Sequence, residues 1–103
     1  MSVYKVVMLR DAIADLKDMR VYLEDKAGTE ITVAYIARIE AFCHGLSLLP
    51  ERGLPRNDIR PGLRVAIFEG RITIAYRISG FQVVILRVLG AGRDVNTILS
   101  DYE

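Results

Sequence analysis

The sequence predicts an α+β fold: a helical hairpin packed on one face of a mainly antiparallel sheet of about four strands, in the order β-α-α-β-β-β. Three observations carry this. Apolar residues recur every three or four positions between Ile13 and Leu46, the spacing of helix faces. From Leu63 to Leu89 the period drops to two, the spacing of strands. Between the two patterns, residues 50–62 hold all three prolines of the chain, so the change of period coincides with a break. At 103 residues the chain is expected to form a single domain over 1–103 with one core. A composition of 51% hydrophobic and 26% charged residues excludes an intrinsically disordered chain.

Residues 3–9 are rich in β-branched side chains and read as the first strand. Asp11 is placed to cap the helix that follows, over about 11–27. Ile13, Leu16, Met19, Leu23 and Ala27 form its apolar face, and Gly28 stops it. Thr29 is placed to cap a second helix, whose face is Val33, Ile36, Ile39, Cys43 and Leu46 and which runs to Pro50. With only Gly28 and Thr29 between them, the helices are expected to pack antiparallel. Each arm is under three heptads, which favours covering a core over acting as a free coiled coil.

Residues 50–62 read as a strap to the sheet. The second strand has Leu63, Val65 and Ile67 on one face, and Arg64, Ala66 and Phe68 on the other. After the turn at Glu69-Gly70, the third strand sets Ile72, Ile74, Tyr76 and Ile78 against Arg71, Thr73, Ala75 and Arg77. After Ser79-Gly80, residues 81–89 are apolar on both faces: Val83 and Ile85 on one, Val84, Leu86 and Val88 on the other. Such a strand belongs inside a sheet, with the first strand beside it. The face away from the hairpin is expected to carry Arg64, Arg71, Thr73, Ala75, Arg77 and Phe68, and to meet solvent or a partner. Gly90-Ala91-Gly92 ends the last strand, and residues 95–99 form a short tail, helical or extended.

The net charge of +1 excludes bulk-charge binding to polyanions, but the two halves differ. Residues 1–49 hold six basic residues against seven acidic; residues 50–103 hold eight, all arginine, against six. Arginine without lysine suits fixed, bidentate contacts. These arginines either pair with Asp58, Glu69, Asp94 and the C-terminal acids or stand ready for a partner.

Catalytic constellations fail in turn. One His and one Cys, adjacent as Cys43-His44 on a helix, point about 100° apart and cannot share a metal. Ser47 lies on the same helix as His44, and no strand-turn-helix elbow carries a serine. Gly90-Ala91-Gly92 lacks the Lys-Ser/Thr of a phosphate loop. For a metal-free ribonuclease, arginines including Arg64 and Arg93 supply cations and Tyr76 a phenol, but Tyr76 alternates onto the apolar face and no convincing base is present. No cofactor is expected. A lone cysteine fits a reducing compartment. With no signal-peptide pattern and no run of about 20 apolar residues, the expected place is the cytoplasm, with no membrane association.

Four fragments in order resemble the ParE branch of the RelE/ParE toxin superfamily. They are Gly62-Leu63-Arg64, Ile74-Ala75-Tyr76-Arg77, Ile85-Leu86-Arg87-Val88-Leu89 and Arg93-Asp94. The hairpin with Asp11, Asp15, Leu16 and Tyr22, and Leu46-Ser47-Leu48-Leu49-Pro50 before the loop, are similar too. The sequence departs at Gly90-Ala91-Gly92, where many relatives carry a His, and this weighs against a ribonuclease. The resemblance implies the toxin of a type II toxin–antitoxin pair, a non-catalytic inhibitor of DNA gyrase neutralised by a cognate antitoxin and linked to plasmid stabilisation. Arg60, Arg64, Arg71, Arg77, Arg87 and Arg93 would then bind antitoxin or target, with no sequence-specific contact to nucleic acid. The alternatives are a RelE-like, ribosome-dependent mRNA endoribonuclease using Arg64, Tyr76 and Arg93, and an inactive relic that binds only antitoxin.

Overall fold

The first strand pairs with the last before the chain turns into the hairpin, and this single return sets the architecture. The computed structural model describes residues 3–101, so Tyr102 and Glu103 at the end of the expected tail lie outside the described residues. β1 (Lys5–Met8) is shorter than the expected 3–9 and runs parallel to β5 (Gln82–Leu89) with Lys5 opposite Gln82. Leu9 closes the pairing by donating its N–H to the Ile85 carbonyl, 3.0 Å, and then serves as the extended N-cap of α1 (Arg10–Ala27). No side chain caps this helix. Asp11 lies inside the first turn rather than ahead of it, where its charge still faces the positive end of the helix.

Gly28 joins the two helices alone. Its N–H donates to Glu24 O at 3.1 Å and its carbonyl accepts from Thr32 N–H at 3.2 Å. It does so at φ 86° and ψ 167°, a conformation that side-chain-bearing residues rarely adopt. Thr29 is therefore the first residue of α2 (Thr29–Gly45), not its cap. The helix ends well before Pro50, because the N–H groups of Leu46, Ser47 and Leu48 bond three residues back and tighten the turn. The Ser47 carbonyl then accepts from Tyr4 N–H, 3.0 Å, pulling this end of the hairpin onto β1.

Three further strands, β2 (Leu54–Pro55), β3 (Arg64–Phe68) and β4 (Ile72–Ser79), complete a five-stranded sheet in the order β1-β5-β4-β3-β2, one more than the four expected. The addition is β2 (Leu54–Pro55), a two-residue strand inside the strap, paired antiparallel to β3 (Arg64–Phe68). A proline there is tolerated because the strand is at the edge. β3 and β4 (Ile72–Ser79) form a hairpin through Glu69 (φ 50°) and Gly70 (φ 71°), so both turn residues are left-handed.

The hairpin side of the sheet buries Ala12 and Leu16 of α1, Thr32, Ile36, Ile39 and Cys43 of α2, and the strand residues Ile72, Ile74, Tyr76, Val83, Ile85 and Val88. The expected helical stripes hold at Leu16, Ile36, Ile39, Cys43 and Leu46 and depart at Ile13 and Val33, which are exposed while the preceding Ala12 and Thr32 are buried. The strand faces differ from expectation in three places, one of them Arg71, which precedes β4 and lines a groove beside the hairpin instead of the face away from it. Arg64 stands opposite Tyr76 and Phe68 opposite Ile72, so both are on the hairpin face, where Phe68 meets Tyr35 and Phe42 edge-on. In β5 the register slips after Tyr76↔Ile85 to Ala75↔Arg87, a bulge that carries Val88 onto the face of Val83 and Ile85.

The opposite face is not open. α3 (Val95–Ser100) lies over it, capped by Asp94, which accepts from Thr97 N–H and Oγ1. Leu99 and Leu63 are buried there with Ala75, Val84, Leu86 and Leu89. The chain thus builds two clusters on the two sides of one sheet, where one core was expected, because the short tail is apolar enough to seal the second.

Candidate functional site

Two of the six sequence-predicted arginines are held inside the fold. Arg87 is half-buried at the bulge, and its Nε and Nη2 each donate to the Asp15 carboxylate of α1 at 2.8 Å. Asp15 also accepts from Val88 N–H at 2.9 Å, so one carboxylate satisfies β5 beyond the end of β1 and neutralises the guanidinium. Arg64 donates from Nη1 to the carbonyls of Gly53 (2.6 Å) and Glu51 (3.2 Å). Beside it the fully buried Tyr76 hydroxyl accepts from Gly53 N–H and donates to the Pro50 carbonyl, both at 2.8 Å. Tyr76 and Arg64 together fasten the strap. Gly53 lies so close that a Cβ there would sit 2.7 Å from the phenolic oxygen.

This geometry bears on the ribonuclease set. Burial pushes the Tyr76 phenol above its ordinary pKa of 10.0, outweighing the opposing effects of the Gly53 N–H and the Arg64 guanidinium. Its proton is already committed to Pro50. Arg93 lies at the far end of β5, lining a groove to which neither Arg64 nor Tyr76 contributes.

Among the described residues, Arg60, Arg71, Arg77 and Arg93 make no ion pair. The acids once expected to absorb them are engaged elsewhere: Asp58 with Arg56, Glu69 with Arg38, and Asp94 at the cap of α3. Arg77 is exposed opposite Val84 on the second face, and Arg60 is half-exposed in the strap. Arg71 and Arg93 are also exposed, and both line one groove.

They line a groove of about 780 Å³ under the overhanging tip of the hairpin. Its deep part is Met19, Leu23, Thr32, Ile72 and Val88, and its outer walls include Tyr22, Ile31 and Tyr35. Tyr22 and Ile31 are more than 60% exposed, which for large apolar side chains on facing helices marks a surface suited to cover. The sheet side carries Arg71, Arg93 and Glu69. The α1 side carries Asp15 and Asp18. Glu69 accepts a bidentate bond from Arg38 (3.0 and 3.2 Å), whose guanidinium also lies 5.1 Å from the Tyr35 ring centre. Thr32 Oγ1, beneath the groove, is buried without a hydrogen-bond partner.

Sequence reasoning named Arg71 and Arg93 but missed Asp18, Ile31 and Tyr35 beside them. The only signal for Ile31 and Tyr35 was that they are apolar and aromatic residues off the main helical stripe near Gly28, and Asp18 carried none. Among the described residues no group of three or more His, Cys, Asp or Glu could hold a metal ion. No described helix is long and apolar enough to cross a membrane. His44 is exposed on α2 and does not line the groove.

The architecture is that of a small α+β domain, a helical hairpin on a mainly antiparallel sheet, with an apolar groove edged by arginine. The ParE toxin family of type II toxin–antitoxin (parDE) systems matches over residues 6–95, and the chain belongs to that family. It is 35% identical over 85 residues to toxin ParE3 of Caulobacter vibrioides, spanning 82% of this chain and 84% of that one. Its fold is similar to a chain of the chromosomal ParDE system from P. aeruginosa, with TM-score 0.76 and 22% identity over 86% of this chain and 97% of the other. It is also similar to a chain of the RelBE2 toxin–antitoxin complex from Mycobacterium tuberculosis, with TM-score 0.63 and 26% identity over 85% and 98%.

Proposed function

We propose that this toxin acts in the cytoplasm as a non-catalytic inhibitor of DNA gyrase and is neutralised by a cognate antitoxin. The observation that carries the reading is the division of labour among the arginines. Arg64 and Arg87 spend their hydrogen bonds on the fold, with Tyr76 locked beside Arg64. Arg71 and Arg93 edge an apolar groove without ion pairs of their own among the described residues. Such a surface suits binding better than proton transfer.

The antitoxin occupies the groove with an amphipathic segment. Its apolar side chains lie on Leu23, Ile72 and Val88, and its acids meet Arg71 and Arg93. Arg60 and Arg77 are kept as contacts for antitoxin or gyrase outside the groove. The named relatives, one a ParDE system and one a RelBE2 toxin–antitoxin complex, support a protein partner of this kind.

Inducible expression without antitoxin tests the target. Early induction of the DNA-damage response with filamentation, while protein synthesis continues, is the expected outcome. Immediate arrest of translation with cut transcripts and intact DNA would replace this reading with a ribosome-dependent ribonuclease. Normal growth with folded protein would leave a relic that binds antitoxin alone.

A further inference from the structure

The turn that leads into Arg71 carries a glutamate where its backbone favours glycine or asparagine. Glu69 and Gly70 both have positive φ, 50° and 71°, the pattern of a type I′ turn. Arg71 N–H closes the turn on the Phe68 carbonyl at 3.0 Å. Among the described residues Glu69 is the only one other than glycine with positive φ. A side chain held where it has no local preference points to a use for that side chain. Its carboxylate accepts from Nε and Nη2 of Arg38 on α2, at 3.2 and 3.0 Å.

The tip of this strand pair needs such a hold. β2 pairs only with Arg64 and Val65, so among the described residues Ala66, Ile67 and Phe68 have β4 alone as a neighbouring strand. Helix α2 supplies the missing support. Tyr35 meets the Phe68 ring edge-on, with 6.1 Å between ring centres, and Arg38, one helical turn further along, takes Glu69. The Arg38 guanidinium lies 5.1 Å from the Tyr35 ring centre, so ring and carboxylate together orient it. An exposed ion pair adds little to stability; its consequence is where it holds the turn.

We infer that Arg38, which does not line the groove, is a positioning residue: through Glu69 it fixes the backbone from which Arg71 reaches the groove. The consequence for binding rests on the groove being a docking surface. An arginine whose backbone wanders meets an acidic partner only part of the time. If it is in place half of the time, affinity falls about twofold. Charge alone gives the opposite sign. Glu69 itself lines the groove, so removing its carboxylate would strengthen the hold on acids. One substitution therefore separates the two effects.

That substitution is Glu69→Asn, because Asn-Gly is a preferred pair for this turn and keeps its backbone. Amide order parameters of residues 69–71 are measured in the native chain, in Glu69→Asn, in Arg38→Gln and in the double variant. They are expected to fall equally in all three variants, since the pair acts as one unit, while urea midpoints stay native. Unchanged order, or losses that add in the double variant, overturns the proposal. Order that falls only together with the urea midpoint makes the pair a brace for the fold and overturns it too. Binding is read with a synthetic amphipathic helical peptide of about four turns, its leucine anchors flanked by glutamates. Glu69→Asn is expected to bind it about twofold more weakly, or worse. Stronger binding means that charge alone matters and overturns the positioning role. A peptide that shifts no groove signals of the native protein overturns the docking reading instead, while the order parameters still decide the placement of Arg71.

Discussion

Tyr76 fills a position where the hydroxyl matters more than the ring. Tyr76→Phe keeps the aromatic packing but leaves Gly53 N–H and the Pro50 carbonyl without their partner in a buried setting. A loss of about 1–3 kcal/mol in urea denaturation is expected, with the fold retained. If Tyr76 were instead a catalytic acid, the variant would lose toxicity with unchanged stability. The pH dependence follows from the same burial. Burial raises Tyr76 above 10.0 and raises Cys43 from 9.0 to about 12. Both groups are neutral when protonated, so the unfolded chain gives up these protons at lower pH than the native one. The stability they support is fully present below about pH 9, begins to fall through the Cys43 thiol, and falls further above about pH 10 as the unfolded phenol ionises. Urea midpoints measured on the alkaline side should decline accordingly, with a shallower decline in Cys43→Ala, although that variant starts lower. A flat profile would mean that the two groups are not desolvated as their positions indicate.

At the scale of elements, the contact between α1 and β5 depends on Asp15. Its carboxylate accepts three hydrogen bonds, two from Arg87 and one from Val88 N–H, and its side chain is only 9% exposed. Asp15→Ala leaves a half-buried guanidinium without this counter-charge and is expected to cost about 3 kcal/mol. Asp15→Asn keeps an acceptor for Val88 and should cost less. Equal losses in the two variants, measured by urea denaturation, would remove the charge from the explanation. It follows that replacing Arg87 weakens the toxin through its fold, whatever partner it binds. This contact also shows where the sequence stopped being legible. The hairpin, the three long strands and the placing of β1 beside β5 were readable, because period and two-sided hydrophobicity are local signals. The bulge at Arg87 was not. Nothing in Ile85-Leu86-Arg87-Val88 announces an extra residue; the bulge is visible only once Asp15 and the neighbouring strand are in place. β2 was hidden for a similar reason, since Leu54-Pro55 becomes a strand only by pairing with Arg64 and Val65. The site was half-readable. Arginine abundance pointed to Arg71 and Arg93, but which arginines are consumed depends on long-range pairs such as Arg38 with Glu69 and Arg87 with Asp15.

For the molecule as a whole, the question is whether two clusters on one sheet behave as one folding unit. The hairpin-side cluster contains Cys43, and the other contains Leu99 on α3. They share no buried side chain, yet β4 and β5 alternate between them: Ile74, Tyr76, Val83 and Ile85 face one way, and Ala75, Val84 and Leu86 the other. Losing the cover on one side exposes strands that the other side needs, so the unfolding transition should be single. Leu99→Ala should cost at least about 2 kcal/mol, as a truncation at a site 1% exposed. A loss of about 2 kcal/mol raises the open population about 30-fold. Cys43 is fully buried and its thiol is held protonated, so a thiol reagent near neutral pH reaches it only through opening. Leu99→Ala is therefore expected to speed Cys43 labelling by that factor or more, although the two residues lie on opposite sides of the sheet. If labelling stays at the native rate while α3 signals are lost, α3 opens independently, and the second cluster is a cover that comes away while the hairpin-side core stays closed.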